Sequence, residues 1–148
     1  MEYRKMKPSD IQGVYEVEVS AFSNPWTISA LKSELNNKLA NYIVAEDENG
    51  KILGYVGAWY ILDEAHITNV AVHKDARGRK IANGLMENLI QECLKSKIDH
   101  ITLEVRKSNI IAQNLYKKHG FKPEGVRTEY YQDNREDAII MWKEIKAV

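Results

Sequence analysis

The 148-residue chain carries 21 Lys and Arg against 21 Asp and Glu, with 44% hydrophobic residues. That composition argues against disorder, and the balanced charge gives no global attraction to nucleic acid or an anionic membrane. No apolar run approaches the roughly 20 residues that span a bilayer, the N-terminus lacks a signal-peptide stretch, and the single cysteine rules out an intramolecular disulfide framework, which fits a reducing cytoplasm. Without repeats, low-complexity stretches or a Pro/Gly/Ser-rich linker, residues 1–148 read as one domain.

In chain order, Tyr3 to Met6 suggests a short strand, and Pro8-Ser-Asp10 opens a helix whose apolar positions Ile11, Val14, Tyr15 and Val19 have helical spacing. Pro25 disfavours helical geometry at Asn24 and breaks that helix within Phe22 to Trp26. Thr27 is placed to cap a second helix through about Asn36. Tyr42 to Glu46 and Ile52 to Leu62 then form a hairpin around Asp47-Glu-Asn-Gly50, and Asp63-Glu64 turns the chain into a strand from His66 to Val72. Ile81 to about Lys95 is the longest helical pattern, with Ile81, Leu85 and Leu89 on one stripe and Met86, Ile90 and Cys93 beside it. A strand over Ile101 to Val105, a helix over Asn109 to Lys118 with Ile111 and Leu115 in the core, and two strands around Tyr130 and Ile139-Ile140 complete the chain. The fold class is α/β of mixed α+β type. A mostly antiparallel sheet of about seven strands carries four helices, and the strands flanking the long helix run parallel.

Two stretches carry candidate chemistry. His73-Lys-Asp-Ala-Arg-Gly-Arg-Lys80 lies where a strand feeds a helix N-terminus, and the unpaired N–H groups there suit an anion such as a diphosphate. Arg79 and Lys80 reinforce that character, although cation-rich loops are commonly just solvated. The loop is neither a Walker A motif nor a dinucleotide fingerprint. In Leu103 to Phe121, a strand bearing Glu104 is followed by a helix bearing Tyr116 and closed by Gly120, which brings two proton-transfer groups to one region. Alternation places Thr102, Glu104 and Arg106 on one strand face. The bland alternatives are a salt bridge from Glu104 to Arg106 or a lysine, and core packing for Tyr116. Cys93 sits on an apolar helix face and reads as packing, while His66, His73, His100 and His119 lack metal-ligand spacing, so no metal is expected.

Together these blocks resemble the GCN5-related N-acetyltransferase (GNAT) family over essentially the whole chain. Asn69-Val-Ala-Val-His73 with Arg77-Gly-Arg-Lys-Ile-Ala82 is similar to the family's Arg/Gln-x-x-Gly-x-Gly/Ala motif, except that Lys80 stands at the first glycine position. The resemblance implies acetyl-CoA as cosubstrate. Its pantetheine arm would pair with the backbone of Val70, Ala71 and Val72. Its phosphates would lie on the loop running from Arg77 through Gly78, Arg79, Lys80, Ile81 and Ala82 to Asn83, with Lys80 still usable if its backbone is helical. Phe22 with Pro25-Trp26, Leu103-Glu-Val-Arg106 with Ser108-Asn109, Leu115-Tyr116 with Gly120-Phe121, Tyr130-Tyr131 and Glu136-Asp-Ala-Ile-Ile-Met141 resemble the branch of ribosomal-protein alanine N-acetyltransferases. That branch implies Glu104 as proton acceptor, Tyr116 as proton donor and Asn109 as a cofactor contact, with Asn109 and Tyr116 on one helix face about two turns apart. The acceptor implied is the N-terminal segment of a ribosomal protein, with no direct nucleic-acid or membrane contact. Phe22, Trp26, Arg127, Tyr130 and Tyr131 would wall the peptide cleft, although Trp26 equally suits a staple between the first two helices. A small-molecule amine acceptor, or CoA binding without transfer, are the other functions compatible with these residues.

Overall fold

The computed structural model describes residues 1–145. Eleven elements follow in order: β1 (Glu2–Lys5), α1 (Ile11–Ala21), α2 (Ile28–Leu35), β2 (Ala40–Glu46), β3 (Ile52–Ile61), β4 (Glu64–Val72), α3 (Ile81–Lys95), β5 (His100–Arg106), α4 (Ile110–Lys118), β6 (Lys122–Arg127) and β7 (Ala138–Glu144). The seven strands form one sheet in the order β1-β2-β3-β4-β5-β7-β6. Every neighbouring pair is antiparallel except β4 and β5, which are joined through α3 and run parallel. The expected mixed, mostly antiparallel sheet with four helices is therefore present.

Local chemistry explains most boundaries. The Ala30 N–H donates to Thr27 Oγ1 at 3.0 Å, which caps α2. Asp47 Oδ1 accepts from the Asn49 and Lys51 N–H groups, and Gly50 supplies the positive φ of 81° that closes the β2–β3 turn. Side-chain alternation gives the sheet two apolar faces. Along β2, Ile43 and Ala45 join a cluster with Leu85, Met86, Leu89 and Cys93 of α3, while Tyr42 and Val44 join Val14 and Val17 of α1 and Leu31 of α2.

Two expectations need correction. The strand expected around Tyr130 lies earlier, at Lys122–Arg127, and Tyr130 and Tyr131 belong to the 128–137 connection. β6 is an edge strand with one partner, so Pro123 and a register shift before Gly125 are tolerated there, and these breakers disguise the strand. In α4, Ile111 is 86% exposed rather than buried, whereas Leu115 does pack against the core. The inward face instead presents Gln113 and Tyr116, and Gln113 Nε2 donates to the Arg106 and Lys107 carbonyls at 3.0 and 2.9 Å.

Candidate active site

The site begins with a gap in the sheet. β4 and β5 are in register only at Glu64↔His100, Ala65↔Ile101 and His66↔Thr102, although β4 continues to Val72 and β5 to Arg106. The β3–β4 register shifts between Gly57 and Ala58, where Thr68 is the extra residue, and such a bulge bends its strand. Beyond His66, the edge of β4 that includes Val70, Ala71 and Val72 is thus left without a β5 partner. Asn69 Oδ1 is buried there and has no hydrogen-bond partner among the described residues. Unpaired extended backbone at such a cleft can take an elongated polar chain.

At the far end of β4, a single turn over Lys74–Ala76 leads into the loop before α3. Arg77, Gly78, Arg79 and Lys80 are exposed, while Ala82 and Asn83 are half-buried. Ile81 sends its side chain into the core, leaving its amide as the feature that faces an anion. The first intrahelical bond of α3 runs from the Gly84 N–H to the Lys80 carbonyl, and no side chain caps the helix. Its first-turn N–H groups are therefore available to a phosphate. Asn83 Oδ1 is hydrogen-bonded to His119 Nε2 at 2.7 Å, so that side chain ties α3 to the end of α4.

Lys80 departs from the expected helical backbone. It sits at φ 60°, ψ 27°, in the left-handed region, with Gly78 at φ 84°. The motif's glycine position is thus one where a Cβ is disfavoured, and lysine occupies it at a conformational cost.

Glu104 lies on β5 just past the last closed β4–β5 pair, its side chain 9% exposed. The bland expectation for it is corrected in detail: its partners are His66, through a 2.6 Å hydrogen bond from Nε2 to Oε2, and Arg127, whose Nε stands 3.6 Å from Oε1. Arg106 points to the 128–137 loop instead. It bonds Asp133 at 2.9 Å, Asn134 at 3.2 Å and Glu136 at 3.4 Å, and it stacks over the Tyr131 ring at 3.9 Å. Glu136 also accepts from the Ser108 N–H at 2.6 Å, which pins the loop to the start of α4, and hydrogen bonding from the Ser108 side chain first, then from this N–H, holds its carboxyl below the usual range.

Tyr116 is buried against Phe121, ring centroids 5.9 Å apart, and burial pushes its phenol up to about 12. Asn109 is the N-cap of α4 rather than a helical residue, and its Oδ1 accepts from the Ala112 N–H at 3.0 Å. Of the expected cleft residues, Tyr130 and Tyr131 meet edge to face at 5.0 Å and Arg127 lies 5.9 Å from the Tyr130 ring, which gathers these three on one side. Phe22 is exposed at the end of α1. Trp26 packs on the α1–α2 core, the staple arrangement, and its N–H donates to the buried Glu18 at 2.9 Å.

A model of the acetyltransferase (GNAT) family matches residues 11–121. The chain belongs to that family. It is 44% identical, over 94% of its length and 92% of the relative's, to a Bacillus subtilis protein provisionally named ribosomal protein bS18-alanine N-acetyltransferase. It is 34% identical, over 92% of both chains, to the Escherichia coli protein that bears this name without qualification. The crystal structure of the E. coli ribosomal-protein-S18-alanine N-acetyltransferase superposes with a TM-score of 0.90 at 32% identity, covering 99% of this chain and 95% of that one.

The acetyl donor of GNAT enzymes is acetyl-CoA. An open β4 edge, an orphaned amide oxygen and an uncapped, cation-flanked helix N-terminus fit that elongated, diphosphate-bearing molecule. Among the described residues, no group of three or more His, Cys, Asp or Glu is arranged to hold a metal. Cys93 is fully buried, and burial pushes its thiol up to about 11, in keeping with packing.

Sequence reasoning overlooked His66. Its signal is present but non-local: once β4 and β5 pair in parallel with His66 opposite Thr102, Glu104 follows two residues on and shares the face of Thr102. The hub role of Arg106 was missed for the same reason, since its partners come from residues 133–136.

Proposed function

We propose that this chain transfers the acetyl group of acetyl-CoA to the N-terminal α-amine of a protein, the acceptor being the N-terminal alanine of the small-subunit ribosomal protein bS18, in the cytoplasm. The observation that carries the chemistry is the position of Glu104, a mostly buried carboxylate at the mouth of the β4–β5 gap. The acceptor rests on near full-length similarity to the bS18-alanine N-acetyltransferases.

Bound acetyl-CoA supplies a thioester, an acyl group open to amine attack. The first-turn amides of α3, with Arg77, Arg79 and Lys80, would hold its diphosphate, and the Val70 to Val72 backbone and Asn109 would hold its arm. An α-amine has an unperturbed pKa of about 7.7–8 against about 10.4 for lysine, so a carboxylate suffices as its base near neutral pH. Glu104 takes the proton as the amine nitrogen bonds to the acyl carbon. Tyr116 gives its hydroxyl proton to the departing sulfur as the C–S bond breaks, and it recovers one from solvent. Trp26, Phe22, Arg127, Tyr130 and Tyr131 border the peptide, and Arg106 holds that wall through Tyr131 and Glu136.

The test is thiol release from acetyl-CoA with a peptide copying the alanine end of bS18. Controls are the same peptide with a blocked N-terminus and an internal lysine, and spermidine. Acetylation confined to the free α-amine is the expected result. Preferred turnover of spermidine, or acetyl-CoA binding with no turnover on any acceptor, overturns the proposal.

A further inference from the structure

Each oxygen of Glu104 has a nitrogen-bearing neighbour. His66 engages Oε2 at 2.6 Å and Arg127 approaches Oε1 at 3.6 Å, so a proton arriving at this carboxylate enters a small, charged cluster. The side chains become more accessible outward: Glu104 is 9% exposed, His66 37% and Arg127 56%. Arginine does not release a proton in this pH range. Histidine does, and it is the partner that is both in hydrogen-bond contact and open to water.

The backbone fixes this contact. His66 stands at the last closed pair of the parallel ladder, opposite Thr102, and the strands part immediately beyond it. Its imidazole therefore reaches Glu104 from the vertex of the gap. A hydrogen bond to a charged group across such a fixed register holds the carboxylate in one orientation.

We infer that His66 is a positioning residue of the acetyl transfer, orienting Glu104 and carrying to solvent the proton that Glu104 takes from the acceptor amine. The inference rests on the reading of Glu104 as the base. At rest the Glu104 carboxylate accepts the Nε2–H of neutral His66. Once Glu104 has taken the amine proton, exchange with water moves the imidazole proton from Nε2 to Nδ1, Nε2 accepts the proton held by Glu104, and the imidazolium releases its Nδ1 proton to water, which restores the starting state. No net proton stays on the enzyme.

The charged groups facing His66 are Glu104 from β5, Arg127 from β6 and Glu64 from its own strand. The Glu104 hydrogen bond raises the imidazole above its ordinary 6.5, burial opposes that rise, Glu64 assists it and Arg127 opposes it. The sign follows. Below the raised value His66 is cationic and cannot accept the proton, so kcat falls as pH drops through it.

The experiment compares kcat–pH profiles for wild type, H66Q and E104Q with acetyl-CoA and the bS18 peptide both saturating, alongside coenzyme A affinity and thermal unfolding. Glutamine retains a hydrogen bond to Glu104 but cannot titrate. H66Q is expected to bind coenzyme A normally, to lose about 10²-fold in kcat at pH 8, and to lose the acid limb lying above 6.5. Wild-type kcat in H66Q, or a reduced kcat with an unchanged pH profile, overturns the inference. An inactive E104Q beside an unaffected H66Q removes the role of His66 alone, whereas a fully active E104Q removes the base assignment and the inference with it. NMR titration of the wild-type imidazole decides the matter if H66Q does not fold. His66 is expected to titrate above 6.5 and to move down in E104Q, and a value at or below 6.5, or one that E104Q leaves in place, overturns it.

Discussion

The Tyr55 hydroxyl donates to Glu18 Oε2 at 2.5 Å, while the other oxygen of Glu18 accepts from the Trp26 N–H at 2.9 Å. Glu18 is 1% exposed and Tyr55 fully buried, so this pair fastens α1 and the Phe22–Trp26 segment to the middle of the sheet. Removing the donor strands a buried carboxylate oxygen. Tyr55→Phe is expected to cost about 2 kcal/mol. In a chain of this size that lowers Tm by roughly 4–8 °C. Urea unfolding checks it, and the peptide KM should rise as Trp26 loosens.

Lys80 offers a change of opposite sign. A left-handed backbone costs a residue with a Cβ about 1–2 kcal/mol, and glycine offsets part of this with its own entropy loss of about 0.5–1 kcal/mol. At φ 60°, Lys80→Gly should therefore gain about 1 kcal/mol of stability, whereas Lys80→Ala, which keeps the Cβ, should gain none. Urea midpoints of the two variants separate backbone relief from loss of the cation. Coenzyme A affinity should fall modestly and equally in both, because the lost charge is exposed.

Lys80 also shows what a sequence displays and what it hides. Thr27, Asp47 and Gly50 act on residues within four positions, so their cap and turn are legible locally. The α3 stripe of Ile81, Leu85 and Leu89 is legible for the same reason, because one amphipathic helix carries the whole signal. Glu104 and Tyr116 stand out through the blocks around them, but the partners of Glu104 do not. His66 arrives through a parallel register 38 residues away, and Arg127 through an edge strand masked by Pro123 and Gly125. The conformation of Lys80 is hidden differently, since a lysine in a glycine-motif position gives no sign of whether backbone or side chain has adapted.

Asp10 links pH to stability. Its carboxylate accepts from Arg4 at 2.7 and 2.9 Å and from the Lys7 N–H at 2.7 Å, and these bonds, chiefly the Arg4 pair, hold it below the ordinary 3.8. A depressed folded value means the stabilisation is complete well above 3.8 and disappears as pH falls through the lower, folded value. Asp10→Asn should cost about 2–3 kcal/mol at pH 7. The gap to wild type should close progressively below about pH 4, as seen in urea denaturation across pH.

Tyr116→Phe isolates the second proton. The phenylalanine ring keeps the packing of Tyr116 on Phe121 and the core, so thermal unfolding should be nearly unchanged. General-acid assistance to the leaving sulfur is worth about 10²–10⁴-fold, so kcat should fall within that range while the coenzyme A and peptide constants hold. Because burial raises the phenol to about 12, wild-type activity should show no alkaline loss from Tyr116 ionisation up to about pH 10. An unchanged kcat in the phenylalanine variant would mean that thiolate departure needs no acid, or draws its proton from water.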